Sequence, residues 1–138
     1  MTPKTIKLIA FVALLVHGIG HFQGVAAGLG LKINNSNPAQ SWLLKNSSEK
    51  LNRTLCMVLF LVTGIIGIMT ALSFREIMLA ELWQTLALIT AALSTLCLLL
   101  FPNSFAMFFN KVGAILVNGI IYYSIAFGQG WPSALFED

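Results

Sequence analysis

Four long runs of the chain contain no Lys, Arg, Asp or Glu. They cover residues 8–31, 54–74, 82–110 and 112–136. A helix needs about 20 mostly apolar residues to cross a bilayer, at about 1.5 Å of rise per residue, and each run reaches that length. In hydrocarbon only helices and closed barrels satisfy their own backbone polar groups, and the runs lack the strict alternation of barrel strands. The sequence therefore predicts an all-α membrane protein with four transmembrane helices in an up-and-down bundle.

The composition excludes several classes of water-soluble protein. Of the 138 residues, 57% are hydrophobic and only 9% are charged, whereas a soluble domain carries about 25% charged residues. The net charge is +3, but the basic residues form no patch or stripe of the kind that binds nucleic acid. These numbers argue against a soluble globular enzyme, a disordered tail and a nucleic-acid-binding protein. The lipid bilayer is the expected partner.

Helix-breaking residues lie near the ends of the uncharged runs. Pro3 precedes the first run, the Asn- and Ser-rich stretch 34–38 follows it, and Pro102 separates the last two predicted helices. Within the longest polar segment, we expect residues 38–44, which include Trp42, to lie on the membrane surface. We predict one domain covering 1–138, with helices at about 6–31, 49–73, 77–101 and 105–127 and a long polar loop at 32–48.

Small residues recur at spacings that place them on one face of each predicted helix. Gly20, Gly24 and Gly28 form a double GxxxG pattern in the first helix, while Gly67 and Ala91 lie in similar stripes of the second and third. Small side chains allow membrane helices to approach closely. We therefore predict that these five residues mediate helix packing, either within a compact bundle or also in a homo-oligomer or with a membrane partner protein.

Two histidines near the middle of the first run most need a physical explanation. His17 and His21 are four residues apart, so they share one helix face, and they adjoin the glycine stripe. Ionisable residues inside a membrane are costly and are a functional-site hypothesis by default. Uncharged polar residues of the third and fourth helices, Ser94, Asn118 and Tyr122, lie at comparable depth. We predict a midplane polar cluster of these five residues that binds a ligand.

Several other interpretations of the histidine pair stay open. Neutral imidazoles could bond to hydroxyl, amide or backbone groups and simply fix the helix register. His17 and His21 could chelate zinc or another divalent metal ion, which would need a third or fourth ligand. A b-type haem would need an axial ligand from another chain's histidine or from a methionine, because two histidines on one helix cannot ligate opposite haem faces. A proton relay completes the alternatives. We expect no resident cofactor, with a divalent metal or haem as the alternatives.

Recognisable catalytic motifs are missing from the sequence. It contains no HExxH, P-loop, GxSxG or CxxC motif, and acidic residues are scarce. The two cysteines, Cys56 and Cys97, are predicted to be buried structural thiols. We therefore predict a binding module or accessory subunit rather than an enzyme. The alternatives are a redox, metal- or haem-dependent component of a membrane enzyme, and a protomer of an oligomeric transporter.

The stretch 14–24, with the sequence LLVHGIGHFQG, resembles the first helix of a group of small bacterial four-span membrane proteins of unknown function. Those proteins carry a similar Leu/Val-His-Gly-x-x-His-x-x-Gly pattern, and the regions 93–94 and 110–113 followed by Asn118 resemble their later helices. In size and helix count the chain is also more distantly similar to DoxX-like membrane proteins, some of which are linked to redox systems. The resemblance implies a four-span protein of the bacterial cytoplasmic membrane and carries over no catalytic residue.

Overall fold

The computed structural model of the chain describes residues 2–31, 39–105 and 107–127. These residues form five α-helices and two short 3-10 helices, and no β-strand occurs among them. The α-helices are α1 (Pro3–Gly20), α2 (Phe22–Gly28), α3 (Glu49–Phe74), α4 (Trp83–Leu100) and α5 (Phe108–Phe127). Four spans are long and apolar enough to cross a membrane, the first being α1 and α2 together. The predicted all-α fold with four membrane-crossing helices is confirmed.

The first span is two helices rather than the single helix predicted at 6–31. It begins at Pro3, because proline has no N–H to leave unpaired in the first turn, and it ends at Gly28. At His21 the N–H groups of His21 and Gly24 bond three residues back rather than four, at 3.2 and 3.0 Å. Glycines around this point have low helix propensity, which explains why the helix breaks here.

The third and fourth spans start later than predicted. The helix predicted at 49–73 agrees with α3 to within one residue. The helices predicted at 77–101 and 105–127 begin later in the structure. Between α3 and α4 the chain turns through Glu76 and Leu79, whose φ angles are 60° and 44°, so regular α-helix resumes only at Trp83 after a 3-10 turn. A 3-10 turn that begins at Pro102 likewise delays the start of α5 to Phe108.

The four spans form a ring of antiparallel helices in which neighbours in sequence are neighbours in space. The α1–α2 span packs on α3, α3 on α4 and α4 on α5, while α5 closes back on α1 along the loosest side of the ring. Lys7 near the start of α1 pairs with Glu76 just after α3, at 3.2 Å. We call the side with this ion pair the termini face, and the side with segment 39–48 the loop face.

The closest helix contact lies between α1 and α3. A Cβ atom added to Gly18 would lie 2.7 Å from the backbone nitrogen of Ile68, and one added to Gly67 would lie 2.8 Å from the Cα of Gly18. Real Cβ atoms do not approach so closely, so both glycines are needed for the two backbones to touch. Gly18 was not among the predicted packing residues, although it occupies the crossing point.

The predicted packing residues divide into two groups. Gly24, Gly28, Gly67 and Ala91 lie at helix contacts: Gly24 is against the Phe60 ring, and Gly28 is against the backbone of α3. Gly20 differs from the expectation, because no described atom outside its own stretch of helix lies within 4 Å of the position its Cβ would take. It lies two residues after Gly18, on another face of α1, and lines a cavity instead.

Asn52 in the first turn of α3 organises the segment that covers the loop face. Its Oδ1 accepts a hydrogen bond from the Ser41 N–H at 3.1 Å, and its Nδ2 donates to the carbonyls of Leu44 and Ser48 at 3.0 and 3.3 Å. Because Asn52 is buried, these bonds fix the path of residues 41–48 over the end of the bundle.

Trp42 in the same segment is exposed, and its indole N–H donates to the Leu99 carbonyl at the end of α4. The indole therefore satisfies a carbonyl in the last turn of α4, where intrahelical donors run out. An exposed Trp and Leu43 at the end of the bundle fit the expected interfacial segment 38–44; Pro38 lies outside the described residues.

The two thiols lie in the apolar core, as expected for structural cysteines. Cys56 and Cys97 are fully buried and free. Cys56 Sγ lies 3.3 Å from the Ser104 hydroxyl, and Cys97 Sγ lies 3.5 Å from the Thr63 hydroxyl. Each thiol thus has a hydroxyl partner on a neighbouring segment.

Candidate functional site

His21 lies at the junction of α1 and α2, one helical turn after His17. The two rings meet edge to face, with centroids 5.0 Å apart and an interplanar angle of 84°. His17 is 8% exposed and His21 only 1%. Both imidazoles therefore face protein rather than lipid, as the glycine stripe beside them suggested.

A chain of polar side chains crosses from α4 to α5 next to this pair. Asn118 Nδ2 donates to the hydroxyls of Ser94 at 3.0 Å and Thr95 at 3.3 Å. Thr95 donates its own proton to a carbonyl of α4, so it also accepts from the Tyr122 hydroxyl at 3.2 Å. The amide of Asn118 lies beside the imidazole of His17. Buried Asn118 is thus the centre of the polar chain, and half-exposed Tyr122 is its outer end.

The structure therefore brings the five predicted cluster residues to one region of the bundle. Ser94, Asn118 and Tyr122 belong to the hydrogen-bonded chain, His17 adjoins it, and His21 joins through its ring contact with His17. Their shared depth follows from antiparallel spans of similar length, because Asn118 is near the middle of α5.

His21 is surrounded by rings and not by hydrogen-bonding groups. Its imidazole centroid lies 5.7 Å from that of Phe60 on α3 and 5.9 Å from that of Phe105 before α5. Within the described chain neither ring nitrogen of His21 has a hydrogen-bond partner, and the same is true of His17 Nε2 and Asn118 Oδ1. The alternative in which both imidazoles bond to neighbouring groups and fix the helix register therefore gains no support at His21.

Such unpaired groups are expensive in a protein interior. A neutral imidazole has one N–H donor and one nitrogen acceptor. Leaving a buried donor or acceptor unsatisfied costs about 1–3 kcal/mol, and the hydrocarbon around a membrane helix offers no water to replace the missing partner. A molecule that reached His17 Nε2 and the two ring nitrogens of His21 would supply the missing partners.

A cavity of about 750 Å³ lies over the two histidines, between the α1–α2 span and α5. We call it the histidine cavity. Gly20 and Gly113 line it, and no described atom outside their own stretches of helix is within 4 Å of either Cβ position, so these glycines leave room where side chains would fill it. At the loop face Asn110 Nδ2 donates to Gln23 Oε1 at 2.8 Å and joins α5 to α2 across the cavity.

The lining of the histidine cavity is polar in places but carries no formal charge among the described residues. Its hydrogen-bonding side chains are His17, His21, Gln23 and Asn110, and the other lining residues are apolar or glycine. Cavities of 300–1,000 Å³ with a few convergent polar groups are typical of small-molecule sites. The chemistry suits an uncharged ligand that carries hydrogen-bonding groups.

A metal at the same place would depend on few protein ligands. No group of three or more His, Cys, Asp and Glu residues is close enough to hold a metal ion in the part of the chain that the structure describes. His17 and His21 could thus supply two ligands, and the remainder would come from amide oxygens or from outside the chain. The predicted metal pair stays a prediction.

Sequence reasoning missed several residues of this site. Gln23 lies within the first apolar run and Asn110 at the end of the third, and their uncharged polar side chains were the available signal for them. Thr95 carries the same signal beside Ser94. Nothing in the sequence marks Phe60 as a neighbour of His21, because aromatic residues are ordinary in apolar runs.

Comparison with known protein families, curated proteins and solved structures gives no match. The resemblance of the first helix to small four-span bacterial proteins, and the more distant likeness to DoxX-like proteins, therefore stay predictions. Functional inference for this chain rests on its own geometry.

Proposed function

We propose that this multi-pass membrane protein is a binding module or accessory subunit of the bacterial cytoplasmic membrane that takes a small uncharged molecule into the histidine cavity. One observation carries the proposal: His21 is 1% exposed, has no hydrogen-bond partner on either ring nitrogen among the described residues, and lines a cavity of about 750 Å³.

A hydroxyl-bearing ligand matches the unpaired groups. A hydroxyl both donates and accepts, so it can meet the acceptor nitrogen of one imidazole and the N–H of another. Each buried group that gains a partner recovers part of the roughly 1–3 kcal/mol that its isolation costs. This gain in free energy would favour ligand binding without any charge in the site.

The loosest side of the ring supplies a route from the bilayer. The histidine cavity lies on the α1–α5 side, where the two spans have the fewest points of contact. A molecule dissolved in the membrane can enter there sideways without crossing either polar face. Entry from the lipid also suits an uncharged ligand, because a charged one would partition poorly into hydrocarbon.

The histidines themselves provide the test. The chain has only 2 His, so protein labelled with ¹⁵N-histidine in lipid nanodiscs shows ring-nitrogen signals from this site alone. Titration with 1-hexanol, a short uncharged alcohol, is expected to shift the His21 ring nitrogens in a saturable manner. His21→Leu should abolish saturable binding, measured with deuterated 1-hexanol by NMR, whereas Thr70→Val, which alters a buried hydroxyl elsewhere in the bundle, should retain it.

The same sample separates the rival interpretations. Unchanged ring-nitrogen signals at saturating hexanol would overturn the proposal. Stoichiometric metal or a Soret band in the purified protein, lost in the His17→Leu, His21→Leu double variant, would instead assign the histidines to a metal- or haem-dependent component. Equal hexanol binding by His21→Leu and the parent protein would show that the cavity histidines take no part.

A further inference from the structure

A second cavity continues the histidine cavity towards the termini face. It has a volume of about 270 Å³ and lies between α1 and α5, with the start of α4 behind it. We call it the apolar cavity; its lining includes Ile9, Ala10, Phe74, Trp83 and Ile121. Ala13 and Val117 line both cavities, so the two adjoin near the middle of the bundle.

We infer that the ligand is a single-chain amphiphile, with an uncharged hydroxyl-bearing head in the histidine cavity and its alkyl chain in the apolar cavity. This inference rests on the proposed function, because the head occupies the site proposed there. A volume of about 270 Å³ holds roughly nine groups the size of a water molecule, at about 30 Å³ each. That is enough for the nearer part of one chain.

The absence of charged residues from the cavity linings favours an uncharged head group on the ligand. Among the described residues, neither cavity is lined by Lys, Arg, Asp or Glu. A phosphate or carboxylate head would therefore be buried without a counter-charge, which is strongly unfavourable. A hydroxyl needs only the donors and acceptors that His17 and His21 leave unused. Phospholipids and ionised fatty acids are thus disfavoured relative to long-chain alcohols.

Hydrophobic burial contributes little to the binding of the ligand's alkyl chain. Lipid tails are as apolar as the cavity wall, so moving an alkyl chain from the bilayer into the protein gains little from burial alone. The head is bound by directional hydrogen bonds, and the apolar cavity adjoins the place where the head lies. Occupation of the apolar cavity should consequently depend on the head group.

Photo-crosslinking tests this dependence. The full chain in nanodiscs is irradiated with a 1-hexadecanol analogue that carries a diazirine in mid-chain, and the labelled residues are mapped by mass spectrometry. We expect labelling of the apolar cavity on α1 and α5, competed by unlabelled 1-hexadecanol. Ala10→Phe, which fills the apolar cavity, should reduce labelling there by about fivefold or more, the factor for the low end of overpacking costs.

Matched controls make the result specific. Ala92→Phe places the same side chain on the exposed side of α4, outside both cavities, and should leave the labelling unchanged. An analogue with a methyl group in place of the hydroxyl should label the apolar cavity several-fold less. Equal labelling by the headless analogue, or no loss in Ala10→Phe, would overturn the inference.

The two proposals fail in different ways. If 1-hexanol still shifts the histidine signals but the long-chain label lies elsewhere, the amphiphile inference is overturned and the proposed function stands. If 1-hexanol produces no shift and His21→Leu leaves the long-chain labelling intact, the histidine cavity is not the site of the head and both are overturned.

Discussion

The two sides of the first span are packed in opposite ways. Towards α3, the span meets its neighbour backbone to backbone at Gly18 and Gly67, and Gly24 and Gly28 continue the contact to the loop face. Towards α5, the same span leaves cavities of about 750 and 270 Å³. The first side stabilises the bundle, and the second leaves space for a molecule.

Glycine serves both sides with opposite effects. At Gly18 the missing side chain allows contact with α3, whereas at Gly20 it leaves space over the histidines.

Polar groups divide in the same way. Thr70 and Thr90 bond to each other at 2.9 Å across the tight α3–α4 contact, while His21 on the open side has no hydrogen-bond partner within the described chain. The buried threonine pair is thus satisfied at a closed helix contact, whereas His21 beside the cavity is not.

The largest expected effect comes from breaking the tight side. Gly18→Leu would place a Cβ 2.7 Å from the backbone of α3, so the two helices must separate. We expect the free energy of unfolding to fall by about 3 kcal/mol, the upper part of the usual overpacking range. Reversible unfolding in mixed micelles, followed by circular dichroism, would measure the loss.

Gly119→Leu is the matched control for this change. Gly119 is exposed on α5, and no described atom outside its own stretch of helix lies within 4 Å of its Cβ position. A side chain there faces lipid, so stability should be unchanged or higher by about 0.5 kcal/mol through better helix propensity. Equal losses in the two variants would show that α1 and α3 do not meet at Gly18.

The next effect contrasts two buried polar residues under the same replacement. Asn52→Leu leaves the Ser41 N–H and the Leu44 carbonyl without their bonds, which should cost about 2 kcal/mol. His21→Leu removes a group that has no bond to lose, so stability without added ligand should rise by about 1 kcal/mol. Unfolding titrations of both variants in one detergent would measure the loss of stability expected for Asn52→Leu and the gain expected for His21→Leu. A comparable loss in His21→Leu would mean that His21 is bonded in the folded protein and would remove the contrast.

The sequence predicts the membrane-spanning helices of this protein better than it predicts the candidate site. Uncharged runs require spanning helices, so α3 was predicted to within one residue. The depth of His17 and Asn118 followed from counting along antiparallel spans, and their proximity was predictable for that reason. The break between α1 and α2 at His21 was not predictable, because a GxxxG pattern is equally typical of one continuous helix. Nor could the pattern distinguish Gly18 from Gly20, since the direction of each glycine depends on how α1 crosses α3.

The smallest expected effect compares hydrogen bonds at two other helix contacts, α3–α4 and α4–α5. A double-mutant cycle with Thr70→Val and Thr90→Val should give a coupling of about 0.6 kcal/mol, the average for hydrogen bonds between membrane helices. The cycle with Thr95→Val and Tyr122→Phe should give less, because Tyr122 is half-exposed and its 3.2 Å bond is longer than the 2.9 Å bond of the threonine pair. Four unfolding measurements per cycle isolate each pair from the other bonds that its members make. A larger coupling at Thr95 and Tyr122 would contradict this expectation and show that the α4–α5 hydrogen bond is at least as strong as the α3–α4 one.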